Sequence, residues 1–188
     1  MTYSIDVHLS QVDDQPIVFA TWPGQKKGSQ VSDALTSPGL EEAFGKFDNW
    51  FTHEYMPAFI KSVGGGSDPA FISNYWGSPL WVGNDLGPAT LAETDEAVVQ
   101  TFTAMTSRLH AAGYADSVVL DRRTVIFNND GAAVDSLWSR RRSDGSEIER
   151  TAVHFALARR SDGIRIVTFE THATTARTLA EVWPVING

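Results

Sequence analysis

The stretch LDRRTVIFNNDGAAVDSLW, from Leu120 to Trp138, decides the fold. Apolar and polar residues alternate on both sides of Asn129-Asp130-Gly131, which predicts two antiparallel strands joined by a tight turn that glycine closes. The turns at Ser143-Asp144-Gly145 and Ser161-Asp162-Gly163 repeat this signal. Together they predict a meander of four long antiparallel strands, over residues 116–128, 132–142, 146–160 and 164–172.

Helical patterns lie before the meander. Ser37-Pro38 has the residue types of an N-cap and a first helical position, and the apolar stripe that follows predicts a long helix with a kink at Pro57. Thr94 predicts the N-cap of a second helix, and Gly113 stands where a C-terminal glycine belongs. A short helix over residues 174–182 should follow the last strand.

The chain divides into two parts. Residues 1–36 are interpreted as an N-terminal extension, in which YSIDVHL and PIVFATW have the alternation of short strands. Residues 37–188 are interpreted as one α+β domain. Within it, residues 71–83 should be extended, and the Gly64–Ser67 segment predicts a flexible break that is either native or an engineered linker.

Composition argues against several classes of function. The 188 residues carry a net charge of −8, which disfavours nucleic-acid binding. There is no cysteine, and therefore neither a disulfide framework nor a thiolate site. No apolar run approaches the roughly 20 residues of a membrane span, and the first residues lack the pattern of a signal peptide. We therefore expect a cytoplasmic protein that binds neither nucleic acid nor membrane.

The turn lengths also predict which residues face each other. Three-residue loops place Val125 opposite Asp135 and Asp135 opposite Val153, with Arg123 diagonal to Asp135. Asp121, Arg123 and Asp135 then share one largely apolar face of the sheet. We expect the helices to cover this face, which would bring two carboxylates and a guanidinium into an apolar environment.

The opposite face is expected to carry Trp138, His154 and Ile166. It is too apolar for open water, so we predict that it forms a homodimer interface. His154 should lie opposite Glu170, with His172 nearby. These three residues are interpreted as a metal cluster, an acid–base pair or histidines bonded at the interface. Because no strong metal motif such as HExxH is present, we expect no metal.

The order of elements resembles that of the nuclear transport factor 2-like superfamily, in its SnoaL-like branch. The ending HFALARRSDGIRIVTFETHATT is similar to the last hairpin of that family, and the resemblance covers about residues 39–183. It implies a cone-shaped, curved antiparallel sheet packed on N-terminal helices, with a small apolar ligand in the mouth of the cone. The superfamily includes polyketide cyclases, ketosteroid isomerases, epoxide hydrolases, dehydratases and inert association modules.

Limonene epoxide hydrolase-like members of the superfamily use an Asp-Arg-Asp constellation on adjacent strands. Asp121, Arg123 and Asp135 resemble it, with the order along the strand reversed. Burial raises the pKa of a carboxyl group and a neighbouring guanidinium lowers it, so two carboxylates beside one Arg can hold different protonation states. We interpret Asp135 as the base, Arg123 as the group that holds and polarises it, and Asp121 as the proton donor.

Five further residues are predicted to line the ligand pocket. In the relatives a Tyr and an Asn hold the reacting water, and Tyr75 and Asn74 have these residue types. Trp76, Trp50 and Phe155 would supply apolar surface, because a pocket in a cone is unfilled core.

The sequence thus predicts a small-molecule enzyme or binder of SnoaL-like type. Its chemistry would be cofactor-free acid–base catalysis, such as isomerisation, hydration or epoxide or ring opening, on a small apolar or cyclic substrate. The alternative is a non-catalytic ligand-binding or dimerisation module in which the Asp/Arg network is structural. An open cavity that reaches the charges favours the first, and a cone packed with Trp and Phe favours the second.

Overall fold

The computed structural model describes residues 6–12, 15–21, 38–65 and 68–183. The predicted N-cap Ser37 and the end of the Gly64–Ser67 segment lie outside these ranges. No helix in the described ranges combines the length and the apolar character needed to cross a membrane.

The first helical region is continuous but changes its winding. Helix α1 (Pro38–Asn49) runs into a π-helical segment (Trp50–Tyr55) and then into α2 (Met56–Gly65). Pro57 has no backbone N–H to donate, and its ring crowds the carbonyl of residue 53, so the chain adopts a wider turn just before it. The kink predicted at Pro57 is therefore a π-helical turn.

The stretch after α2 differs from the prediction at its start. Residues Pro69–Asn74 form a 3₁₀ helix, which begins where the Asp68 carboxylate accepts a hydrogen bond from the Ala70 N–H at 2.9 Å. An Asp-Pro pair favours such a turn because the carboxylate caps it and Pro suits its first position. Extended structure begins only at Trp76.

The sheet has eight strands in the order β1-β2-β5-β6-β7-β8-β3-β4. The four-stranded meander β5 to β8 is confirmed, but β3 runs parallel to β8, so the sheet is mixed rather than antiparallel throughout. Helix α3 lies between β4 and β5, and Thr94 caps it as predicted. The bounds are β1 Asp6–Val12, β2 Gln15–Thr21, β3 Trp76–Asn84, β4 Gly87–Ala92, α3 Asp95–Ala111, β5 Tyr114–Asn128, β6 Gly131–Arg142, β7 Glu147–Arg160, β8 Gly163–Ala173 and α4 Leu179–Val182.

Bulges correct the predicted register. Between β6 and β7, Arg141 pairs with Glu147 as the turn requires, but Arg140 pairs with Glu149, so Ile148 is an extra residue. A one-residue shift moves a side chain to the other face of a sheet. Asp135 therefore pairs with His154 instead of Val153. At the β5–β6 turn Asn128 pairs with Gly131 instead of Ala132, and a bulge between Ile126 and Asn128 shifts the pairing by one more residue. Arg123 therefore lies directly opposite Asp135 instead of diagonal to it.

The face of the sheet that helices α1 to α3 cover, the helix face, carries an aromatic core. Trp138 and Ile166, predicted on an outer dimer surface, are 2% and 0% exposed in this core, so they cannot form that surface. Phe155 packs edge-on against Phe51, with ring centroids 5.1 Å apart. The core on this face is filled by rings of Phe47, Trp50, Phe51, Tyr55, Phe59, Trp76, Phe102, Trp138, Phe155 and Phe169.

One arginine is buried in this core. Arg140 is 3% exposed and its guanidinium lies 5.6 Å from the centroid of the Phe59 ring. Its Nε is 3.1 Å from the Glu149 carboxylate, but Nε and Nη1 make no hydrogen bond within the described residues. Burial lowers the pKa of Arg140, and the Glu149 charge opposes that shift.

The opposite face, the open face, is covered in part by the C-terminal segment. Leu179 of α4 packs on Leu137 and Ala152, with Val182 and Trp183 beside them. The Leu179 N–H donates to the Asp121 carboxylate at 2.8 Å, which fixes the start of α4 on the sheet.

Candidate functional site

Five neighbouring strands place one residue each on a single line across the open face. Arg123 of β5 pairs with Asp135 of β6, which pairs with His154 of β7. His154 pairs with Glu170 of β8, as predicted, and Glu170 pairs with Gly83 of β3. Because directly paired residues of antiparallel strands stand only about 4.5–5.5 Å apart on one face, the first four residues form a continuous row of charged and polar side chains, which ends at Gly83.

Asp135 is the centre of this row. Its Oδ2 accepts hydrogen bonds from Arg123 Nη2 at 2.5 Å and Nε at 3.1 Å. Its Oδ1 accepts one from His154 Nδ1 at 2.7 Å. The Asp135 side chain is 8% exposed, whereas those of Arg123 and His154 are 34% and 37% exposed. A buried carboxylate therefore holds two partly exposed basic groups.

These contacts set the protonation states. Burial raises the pKa of Asp135, but the hydrogen bonds and charges of His154 and Arg123 outweigh it, and the pKa is lowered below its ordinary value. The hydrogen bond to Asp135 raises the pKa of His154, against the opposing effect of burial. Since Asp135 is ionised, Nδ1 of His154 carries the proton and Nε2 remains for a ligand.

A second Asp–His pair lies on the same face. His172 Nδ1 donates to Asp85 Oδ1 at 3.0 Å, and the Ala173 N–H donates to Asp85 Oδ2 at 2.6 Å. These two hydrogen bonds lower the pKa of Asp85. His172 is two residues beyond Glu170 on β8, so its side chain is diagonal to that of His154.

A cavity of about 680 Å³ connects the two pairs. This volume is within the range of small-molecule sites, which is about 300–1,000 Å³. Indole rings of Trp81 and Trp183 contribute to its walls, and Trp81 Nε1 donates to Glu170 at 3.1 Å. The lining residues are Trp81, Gly83, Asn84, Asp85, Ala89, Arg123, Asp135, His154, Glu170, Thr171, His172 and Trp183.

Of the three predicted catalytic residues, two are together in this cavity. Arg123 and Asp135 are ion-paired there, but on the open face instead of inside a helix-covered cone. Asp121 is not in the lining. Its carboxylate accepts from the backbone N–H groups of Arg122 and Leu179, both at 2.8 Å, so it holds the first residue of α4 on the sheet, outside the cavity.

The five predicted pocket residues do not line the cavity. Trp50, Trp76 and Phe155 are buried in the aromatic core of the helix face, and Tyr75 packs against the same core. Asn74 is exposed at the end of the 3₁₀ helix. The aromatic stripes of the helices meet Trp76 and Phe155 directly, so core, and not a pocket, surrounds these two strand residues.

Sequence reasoning missed part of the site. The sequence pattern places His154 in a separate cluster, because the bulge at Ile148, which pairs His154 with Asp135, leaves no clear mark in the sequence. Trp183 and Asp85 reach the cavity only through tertiary packing of the C-terminus and of the turn after β3. Each of the two imidazoles is hydrogen-bonded to a different aspartate. In the described ranges, no three His, Asp or Glu side chains have the spacing of a metal site.

The chain belongs to an NTF2-like protein family: the family model described as "NTF2-like protein (DUF6841)" matches residues 41–174. The resemblance to the nuclear transport factor 2-like superfamily is thereby confirmed. The α+β fold, with helices on a curved sheet, is confirmed as well. No curated protein matches the chain.

Several solved structures share the fold. An NTF2-like protein with a cystatin-like fold from Novosphingobium aromaticivorans is 16% identical, with a TM-score of 0.51 over 81% of this chain and 97% of its own. A "putative dehydratase" from the NTF2-like family of Streptomyces avermitilis is 13% identical, with a TM-score of 0.52 over 72% and 99%. The yeast UBP3-associated protein BRE5 is 10% identical, with a TM-score of 0.51 over 65% and 92%. At these identities the likeness is one of fold alone.

Proposed function

We propose that this NTF2-like protein binds a small, largely apolar or cyclic molecule in the open-face cavity and acts on it by general acid–base catalysis. The observation that carries the proposal is the buried Asp135 carboxylate, which holds His154 at 2.7 Å on the wall of a cavity of about 680 Å³. The reaction class is isomerisation, hydration or its reverse, or ring opening. These steps need a proton moved and no cofactor.

The Asp135–His154 pair has the physical requirements of a general base. Asp135 fixes the imidazole tautomer and stabilises the imidazolium that forms when Nε2 takes a proton. Arg123 keeps Asp135 ionised, so that this carboxylate remains a hydrogen-bond acceptor while His154 changes charge. Arg123 thus keeps the role predicted from the sequence, which is to hold and polarise Asp135. The role of the base, predicted for Asp135, is proposed here for His154.

The Asp85–His172 pair supplies the proton donor. His172, oriented by Asp85 in the same way, lines the same cavity and can donate a proton while His154 accepts one. Residues at diagonal positions on adjacent strands have Cα atoms about 7–8 Å apart. One small substrate can therefore lie between the two imidazoles, lose a proton to one and receive a proton from the other. Trp81 and Trp183 would hold the apolar part of that substrate.

An elimination that needs only a general base tests the proposal without knowledge of the natural substrate. We would use 5-nitrobenzisoxazole, whose C–H proton goes to the base while its N–O bond breaks to give a coloured phenolate. The wild-type protein should accelerate this reaction, with a rate that rises as His154 loses its proton. His154→Gln should reduce the rate by about 10²-fold, the usual contribution of a general base.

Matched variants make the result specific. His53→Gln changes an exposed histidine of the π-helical segment and should leave the rate as it is. Asp135→Asn should displace the pH profile to lower pH, because the raised pKa of His154 depends on that carboxylate. Equal rates for His154→Gln and His53→Gln would contradict the proposal.

The alternative, a non-catalytic dimerisation module, has two observations in its favour. The helix face is filled with aromatic rings, and on the open face Trp81 and Leu91 are 44% and 50% exposed. A second copy packed on this face would cover both side chains and the cavity. Sedimentation equilibrium of the wild type and of Trp81→Glu separates the candidates: a dimer that this variant dissociates, together with no catalysis, favours the module.

A further inference from the structure

We infer that the ligand of the open-face cavity carries a positively charged amino group, held by Glu170 beside the indole of Trp81; this rests on the function proposed above. The inference comes from the charges that face the cavity. Three carboxylates line it against a single guanidinium and two histidines. Its formal charge is therefore −2 with both imidazoles neutral and zero with both protonated. It is never positive, which disfavours an anionic ligand.

The three carboxylates are not equivalent. Both oxygens of Asp135 are occupied, by Arg123 and by His154, and both oxygens of Asp85 are occupied, by His172 and by the Ala173 N–H. Glu170 accepts only from Trp81 Nε1, through Oε1. Among the described residues its Oε2 has no donor, so Glu170 is the cavity carboxylate with a free acceptor.

Glu170 is also held in place. It pairs with Gly83 on the adjacent strand, and a Cβ on that glycine would stand 3.1 Å from Glu170 Cγ. The absence of a side chain at Gly83 thus leaves room for the stem of Glu170, and the Trp81 indole fixes its head. Glu170 is exposed to solvent, but a carboxylate ordered from two sides binds a ligand with less loss of conformational entropy than a glutamate without such contacts does.

The aromatic ring beside this carboxylate completes a cation site. Trp is the best ring for cation–π attraction, which operates within about 6 Å of the ring centroid. Trp81 is bonded to Glu170 and Trp183 lines the same cavity. An ammonium group at Glu170 would be in reach of an indole face, while the rest of the ligand extends along the row towards His154.

A series of ligands that differ only in charge tests the inference. Benzylamine, benzyl alcohol and benzoate would be titrated into the full chain at neutral pH, with binding followed by Trp fluorescence and by protein-observed NMR. Benzylamine should bind at least about tenfold more tightly than benzyl alcohol, and benzoate most weakly. Glu170→Gln should abolish the preference for the amine and leave the affinity for the alcohol unchanged.

Controls assign each outcome. Glu54→Gln, which neutralises an exposed glutamate on the π-helical segment, should keep the preference. Equal affinity for the amine and the alcohol, or a preference that survives in Glu170→Gln, overturns the inference. If the alcohol still binds and the elimination still depends on His154, the proposed function stands without the amine. If none of the three ligands binds, the inference fails, and the elimination experiment decides the proposed function separately.

Discussion

Replacement of Asp135 by Asn gives the sharpest test of the charged row, because the two side chains have the same shape. The carboxylate accepts three hydrogen bonds, two from Arg123 and one from His154. Asn keeps one acceptor oxygen, so one basic neighbour loses its partner and the other faces a neutral group. A charge-assisted hydrogen bond contributes about 1.5–3 kcal/mol. Because both neighbours are about one-third exposed, we expect a loss of about 2 kcal/mol in the free energy of unfolding.

The loss should depend on pH in a defined direction. The pKa of His154 is raised in the folded protein, so its contribution is complete below its ordinary value of 6.5 and fades as pH rises through the folded pKa. The pKa of Asp135 is lowered, so its contribution is present above its ordinary value of 3.8 and fades only as pH falls through the folded pKa. The difference between wild type and variant is therefore largest near about pH 5.5 and smaller near about pH 8.5. Urea denaturation at both pH values measures it, and a difference that is below about 0.5 kcal/mol at both, or unchanged between them, would refute the reasoning.

Three further substitutions test the rest of the structure by thermal and urea denaturation. Phe155→Ala should destabilise the protein by about 3–5 kcal/mol, since the ring is 2% exposed among Phe51, Tyr55 and other rings; a loss under about 1 kcal/mol would mean that this side is not a packed core. Arg140→Met should change stability by no more than about 1 kcal/mol or increase it, because two guanidinium nitrogens have no hydrogen bond to lose and Glu149, the ion-pair partner, keeps two hydrogen bonds from Arg108; a loss of about 3 kcal/mol would contradict this. Thr94→Ala should cost about 0.5–2 kcal/mol through loss of the cap on α3, and Thr94→Ser should restore most of it.

The meander was predictable because its signals are local. Asp-Gly turns and alternation within each strand need no knowledge of the rest of the chain, and the four strands appear within a few residues of their predicted bounds. The pairing of His154 with Glu170 was also predicted, because two deviations from the predicted register cancel. The turn pairs Arg160 with Gly163, one residue from the predicted partner, and the bulge at Val167 shifts the pairing back by one residue. Thr94 was recognisable as a cap for the same local reason.

The site was predictable only in part, because bulges decide it. As predicted, one face carries Asp121, Arg123 and Asp135. The extra residue Ile148 places His154 on that face as well, and the helices cover the other face. Whether a strand absorbs an extra residue depends on how the sheet curves against the helices, which is a property of the whole fold. Composition alone likewise could not tell that the aromatic residues pack against one another on the helix face.

A crystal structure of the protein soaked with benzyl alcohol tests the central claim, that the open-face cavity is the ligand site, most directly. The account predicts that the ring lies between Trp81 and Trp183 and that the hydroxyl is within hydrogen-bond distance of His154 Nε2. A ligand bound on the helix face among Trp50, Tyr75 and Phe155, or an open face closed by a second copy with no ligand in the cavity, would contradict it.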